Sequence, residues 1–123
     1  TGTSWGTFGI LIPICIAVFP AADPLRIISI SACMAGAVCG DHISPISDTT
    51  IMASAGAECK HVHHVSSQLP YALTVAAISF LTFIVAGFTH TLGMVTSAII
   101  SWIFGIAMLG FALFYLNNRS KVK

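Results

Sequence analysis

From Tyr71 to Leu116 the chain contains no Asp, Glu, Lys or Arg. A stretch that long without charge has no polar face to offer water, and this restricts the chain more than any other feature. It divides into two apolar runs, Tyr71–Phe88 and Leu92–Leu116, joined by Thr89-His90-Thr91. A hydrocarbon core of about 30 Å needs about 20 helical residues at 1.5 Å each. The second run meets that length outright. The first meets it marginally, with Tyr71 as an interfacial aromatic. Residues 71–116 are therefore expected to form a transmembrane helical hairpin, with Gly87, Gly93, Gly105 and Gly110 allowing close helix packing.

The remainder is scarcely more polar. Only 7% of the 123 residues are charged and 56% are hydrophobic, against roughly 25% charged in an ordinary soluble domain. Mean hydropathy is +0.93. The lipid bilayer is the expected partner of such a chain. A net charge of +1 without a basic, aromatic-laced patch excludes a nucleic-acid partner. The sequence has no phosphate-binding loop, dinucleotide fingerprint or nucleophile elbow, so nothing points to use of ATP. Cys15, Cys33, Cys39 and Cys59 have no CxxC spacing and read as small buried hydrophobes rather than a disulfide framework. The first residue is Thr and no signal-peptide pattern follows, so the opening reads as the interior of a longer protein.

Two further apolar runs precede the hairpin. Trp5–Ala22 is interrupted by Pro13 and Pro20, and Ile27–Gly40 is too short to span alone. After Gly40 comes Asp41-His42-Ile43-Ser44-Pro45-Ile46-Ser47-Asp48-Thr49-Thr50. Pro45 disfavours helix at Ser44, and Ser47 or Asp48 suits the N-cap of a new helix reaching about Ala57. The expectation is one discontinuous membrane helix over residues 27–58, in halves of about 21 and 16 Å, with its break near the midplane. Irregular backbone at that depth is tolerated only where it is buried in protein or lines a cavity.

Residues 59–70, with Lys60 and three histidines, are expected to form a loop, and 117–123 a basic tail carrying Arg119, Lys121 and Lys123. The positive-inside rule puts that tail, and with it the loop, in the cytoplasm, so the expected location is the inner membrane, with several passes.

The break holds the candidate chemistry. A carboxylate at a membrane helix centre costs roughly 2.5–3.5 kcal/mol, and two occur here. Asp41 follows a half-helix at the negative end of its dipole, where a cation or proton would be welcome. It is the first candidate for a cation- or proton-binding group. Ser44, Ser47, Thr49 and Thr50 offer hard oxygen ligands suited to a small alkali ion. The plainer alternatives are a helix cap for Asp48 and a membrane-surface position for Asp41. His42 either tunes the neighbouring carboxylate with pH or simply bonds a backbone carbonyl. At the start of the chain, Thr1-Gly2-Thr3-Ser4-Trp5-Gly6 is either the tip of a re-entrant hairpin, with residues 1–22 as its arm, or a helix start after a loop. Cys59, His61, His63 and His64 carry metal-ligand atoms, but their spacing matches no standard closed site. A solvated loop is the preferred reading, and no metal is expected other than a transported alkali ion.

Thr1-Gly2-Thr3-Ser4-Trp5-Gly6-Thr7-Phe8-Gly9-Ile10 resembles a signature of the NhaC-type sodium/proton antiporters. Gly40-Asp41-His42-Ile43-Ser44-Pro45-Ile46-Ser47-Asp48-Thr49-Thr50 resembles that family's other signature closely, and Gln68-Leu69-Pro70-Tyr71-Ala72 also fits. The resemblance covers roughly residues 1–80. It implies a secondary transporter of the ion-transporter superfamily rather than an enzyme: an all-α membrane protein of two inverted repeats, each with a re-entrant hairpin and a broken helix. This chain would be most of the second repeat, toward the C-terminus of the whole, with the first repeat as its missing partner and a homodimer as a further expectation. By the same resemblance Thr3 and Ser4 lie at a hairpin tip. Asp41, Ser44, Ser47, Asp48 and Thr49 lie at the broken helix, facing a shared cation site. The implied cargo is Na+ and H+, with no bound cofactor. The family also implies alternatives, a malate/lactate-like organic-acid carrier or an amino-acid carrier, and an inactive remnant is a third outcome for so short a chain.

Overall fold

A computed structural model describes residues 2–120, without the side chains of Arg119 and Ser120. Thr1, Lys121 and Lys123 lie outside the described residues, so the lysines of the expected basic tail do too. The described residues are helical with no strand. In order they form α1 (Ser4–Val18), α2 (Pro24–Ile43), α3 (Asp48–Gly56), α4 (His61–Thr89), a single 3-10 turn (His90–Leu92) and α5 (Met94–Ser120). Three segments are long and apolar enough to cross a membrane: Pro24–Ile43, His61–Leu92 and Met94–Asn118. The chain divides into two compact units, Thr1–Ala76 and Ala77–Lys123.

In the first unit, α1 and α2 form an antiparallel hairpin. The Cys15 and Cys33 sulfurs touch at 3.4 Å, and Gly2 lies against Ser44 and Ile46. The contact pairs share a midpoint at residues 23–24, where the linker meets α2, as an antiparallel pairing requires. Pro13 does not interrupt α1, although its missing N–H forfeits one backbone bond. The helix stops before Pro20, at Phe19, whose backbone N–H bonds Cys15 O.

Several expected boundaries are corrected. Helix α2 is set by its cap rather than by the onset of apolar residues. The Asp23 side chain accepts from Leu25 N at 2.9 Å and Pro24 takes the first helical position. The helix therefore starts three residues before Ile27 and continues past Gly40 to Ile43. At 20 residues, or about 30 Å, it is not too short to span alone. Asp41 and His42 lie inside its last turn rather than beyond it. Residues 61–70, expected as loop, are helix, because residues 61–69 hold no Gly or Pro and adding to a formed helix is far cheaper than nucleating one. Residues 117–120 of the expected tail are the end of α5.

The second unit is a hairpin of its own. Thr89 Oγ1 and Ser97 Oγ lie 2.9 Å apart, and Ser97 Oγ–H donates to Ala86 O at 3.2 Å. A Cβ on Gly105 would lie 3.3 Å from Thr82 Oγ1. Ser97, Ser101 and Gly105 thus make a small-residue stripe facing the C-terminal half of α4. Gly93 makes the turn possible, at φ +101°, a value side chains rarely adopt. At Gly87 and Gly110 an added Cβ would meet nothing within 4 Å, so neither glycine serves close packing here. Trp102, Phe111 and Phe114 are exposed, as lipid-facing aromatics of a membrane hairpin are.

Candidate cation site

The break between α2 and α3 is a four-residue turn. Ser47 N–H donates to Ser44 O at 3.3 Å across Pro45 and Ile46, and Pro45 holds the second position, where its fixed φ is favourable. The Ser44 hydroxyl accepts from Ile46 N at 3.4 Å, reinforcing the turn from a side chain. Behind it, Ser44 N–H closes α2 on Gly40 O and Asp41 O. Ahead of it, Ile51 N–H donates to Ser47 O and opens α3.

This turn folds the chain back so that Ser47 and Thr49 meet Asp41. The Asp41 side chain is buried and Ser47 is completely so. Asp41 Oδ1 receives the Ser47 hydroxyl at 2.6 Å, and Oδ2 receives the Thr49 hydroxyl at 3.1 Å. The two hydroxyl oxygens are themselves 2.7 Å apart. Ser47 occupies the N-cap of α3 but makes no side-chain cap bond, because its hydroxyl is committed to the carboxylate.

The ring has three oxygen–oxygen contacts and two hydroxyl protons. With Asp41 ionised, both protons point at the carboxylate. Two hydroxyl oxygens then face each other at 2.7 Å with nothing positive between them. One more proton, on Asp41, completes a closed circuit: Asp41 donates to Ser47, Ser47 to Thr49, and Thr49 to Asp41. A small cation among the oxygens removes the same shortfall. Thr49 is the exposed member of the ring, so the cluster opens on that side.

The other sequence candidates are placed as follows. Asp48 is exposed, and its Oδ1 accepts from Thr49 N at 2.9 Å, at the first turn of α3; it does not join the ring. His42 is also exposed, with Nδ1 3.0 Å from Val38 O, the plainer of its two readings. Thr3 is the N-cap of α1, accepting from Gly6 N at 3.4 Å, and Ser4 is the first helical residue. Gly2 brings that end of α1 to the break: a Cβ there would lie 3.1 Å from both Ile46 Cγ1 and Ser44 Oγ. Among the described residues no group of three or more His, Cys, Asp or Glu side chains gathers around a metal-sized space.

The residue missed in the sequence is His61. Its Nε2 lies 2.6 Å from Pro45 O and its Nδ1 3.0 Å from Ser54 Oγ. A histidine amid other histidines gave no hint of a partner 16 residues away.

The profile of the Na+/H+ antiporter family matches residues 1–88. The chain belongs to the Na+/H+ antiporter family. A protein of undetermined function from Haemophilus influenzae is 59% identical over 92 residues, covering 74% of this chain and 18% of that protein. The malate-2H+/Na+-lactate antiporter of Bacillus subtilis is 35% identical over 91 residues, 73% of this chain and 19% of the relative. An uncharacterised Na+/H+ antiporter of Haemophilus influenzae is 34% identical over 90 residues, 73% and 19% of the two chains. The matched part of this family member therefore spans less than a fifth of the length of these relatives. No solved structure matches it. Membership makes the chain part of a multi-pass membrane transporter family, in keeping with its three span-length apolar segments.

Proposed function

We propose that this chain carries a cation site for sodium/proton antiport across the cytoplasmic membrane, centred on Asp41, Ser47 and Thr49. The single observation behind this reading is the proton count of the ring: three short oxygen contacts with two hydroxyl protons. A proton on Asp41 closes the circuit, and Na+ replaces it by pulling the same oxygens inward. The two occupants exclude each other because they use the same lone pairs, and mutual exclusion at one alternately exposed site is sufficient for exchange. If the exchange moves net charge, the membrane potential contributes about 2.3 kcal/mol per charge per 100 mV. The chain would act as the second of two inverted repeats, completed by a first repeat and paired as a homodimer, with its C-terminus in the cytoplasm. No cofactor beyond the transported ions is called for.

A second reading has one observation of its own. The Gly2 contact sets the N-terminal end of α1 beside the turn that opens α3, so two helix ends of positive polarity approach one another. A carboxylate substrate carried with the cation would suit them, and one relative bears the name of a malate/lactate exchanger.

Inverted membrane vesicles carrying the complete polypeptide encoded with this chain separate the readings. Na+-dependent dequenching of a pH-gradient dye, abolished by Asp41→Asn, is the result expected of the first. Uptake of labelled malate or lactate that needs Na+, without dequenching by Na+ alone, would replace it with the second. Neither signal would remove both.

A further inference from the structure

We propose that His61 is the positioning residue of the candidate cation site: its imidazole clamps the Pro45 carbonyl of the break to the Ser54 hydroxyl of α3. The inference rests on the sodium/proton reading for its transport consequence, but the clamp itself does not.

In a turn whose closing bond runs from Ser47 N–H to Ser44 O, the carbonyl of the second residue points outward. Pro45 O is therefore not used within the turn and is open to a donor from another segment. His61 supplies it at 2.6 Å. A carbonyl only accepts, so Nε2 carries the proton. The other nitrogen, Nδ1, lies 3.0 Å from Ser54 Oγ, and Ser54 is buried. The Ser54 hydroxyl has one proton and two acceptors within reach, Nδ1 and Ile51 O at 2.9 Å. With neutral imidazole it donates to Nδ1. With imidazolium it accepts from Nδ1 and donates to Ile51 O. Nε2 keeps its proton in both cases, so the bond to Pro45 persists whatever the charge of His61.

The local chain is shaped to deliver this ring. Helix α3 ends in a Schellman turn: Glu58 N–H donates to Ala55 O at 3.1 Å and Cys59 N–H to Ser54 O at 3.1 Å. Glu58 adopts φ 51° to make it. That reversal starts α4 at His61, beside the helix just ended and level with the break. The clamp thus fixes the outer side of the turn whose inner side carries Ser47 to Asp41. Releasing Pro45 removes the turn's hydrogen bond to α4 and leaves only the ring and the Gly2 contact to hold it.

The test uses the complete polypeptide in vesicles. His61→Ala is expected to raise the Na+ concentration for half-maximal exchange about tenfold while the maximal rate stays within about threefold, the equivalent of one lost hydrogen bond of about 1.4 kcal/mol. His61→Gln, whose amide can donate to Pro45 O and accept from Ser54, is expected to recover most of that loss. A half-saturation unchanged in His61→Ala, or a Gln variant as impaired as the Ala variant, overturns the assignment. A second arm needs no transport. With the native cysteines replaced by serine, Ser47→Cys is expected to react slowly with a water-soluble maleimide, and at least tenfold faster once His61→Ala is added. An equal rate in the two backgrounds also overturns it. Absence of sodium exchange in the unaltered protein removes the transport reading and leaves the labelling arm to decide the clamp.

Discussion

Asp41 receives the Ser47 hydroxyl at 2.6 Å across the turn that ends α2, and both side chains are buried. An acidic residue of the break is thereby enclosed by the break's own serine, whereas Asp48, seven positions on, remains exposed. The two carboxylates of one short motif are unequal.

That inequality predicts different variants. Asp41→Asn removes an acceptor and the exchangeable charge together, and Na+-dependent exchange in vesicles should fall at least a hundredfold. Asp48→Asn keeps an acceptor for Thr49 N and should leave exchange within about threefold. Equal loss in both would mean the ring is not the ion site.

Ser47→Ala and Thr49→Val each delete one hydroxyl from the ring. Each should raise the Na+ half-saturation roughly tenfold to a hundredfold, the range for a lost hydrogen bond to a charged group at about 1.5–3 kcal/mol. Because the two hydroxyls touch, the double variant should cost less than the sum of the singles. Full additivity, measured as half-saturation constants, would separate them.

Oxidation should join Cys15 to Cys33. Their sulfurs lie 3.4 Å apart and need only to close to about 2.0 Å. Membrane-permeant diamide should consume two of the four thiols in a mass-tag gel assay. Cys15→Ser or Cys33→Ser should prevent that loss, whereas Cys39→Ser and Cys59→Ser should not. Persistence of all four thiols in the unaltered protein would contradict the α1–α2 register.

Glu58→Gly should stabilise the protein. Glu58 pays the left-handed cost of roughly 1–2 kcal/mol at a position where glycine has none, offset in part by glycine's freedom in the unfolded chain. A net gain of about 1 kcal/mol would appear as a higher thermal midpoint. Glu58→Val should lower it, since branching at Cβ crowds that conformation further. An unchanged midpoint in both would mean the backbone is not strained there.

Much of the fold is legible in the sequence because the membrane solvent leaves few alternatives. The charge-free run after Tyr71 reads as a hairpin, and Pro45 marks the only turn in the second motif. Helix ends were less legible. Asp23-Pro24 starts α2 earlier than its apolar residues do, and no apolar pattern reports a cap. Residues 61–69 look like loop by polarity, yet they propagate helix from α4, whose apolar part begins later. Within the site, composition singles out acidic and hydroxyl residues without saying which converge. Convergence depends on the turn's direction, which unites Asp41, Ser47 and Thr49 and leaves Asp48 and His42 outside. His61 was hidden for a further reason. It reaches Pro45 only because Glu58, an unremarkable turn former, takes a glycine-like conformation.

The α1–α2 hairpin is keyed at two places, by Gly2 against Ser44 and Ile46 near its open end and by the paired sulfurs partway along. Each residue added to or removed from a helix between those keys turns one of them by about 100° relative to the other. Side chains between the keys are free to vary with their lipid or protein neighbours, but the number of residues there is not. A gap in that interval would distinguish a chain that has kept its ion chemistry from one that has only kept its hydrophobicity.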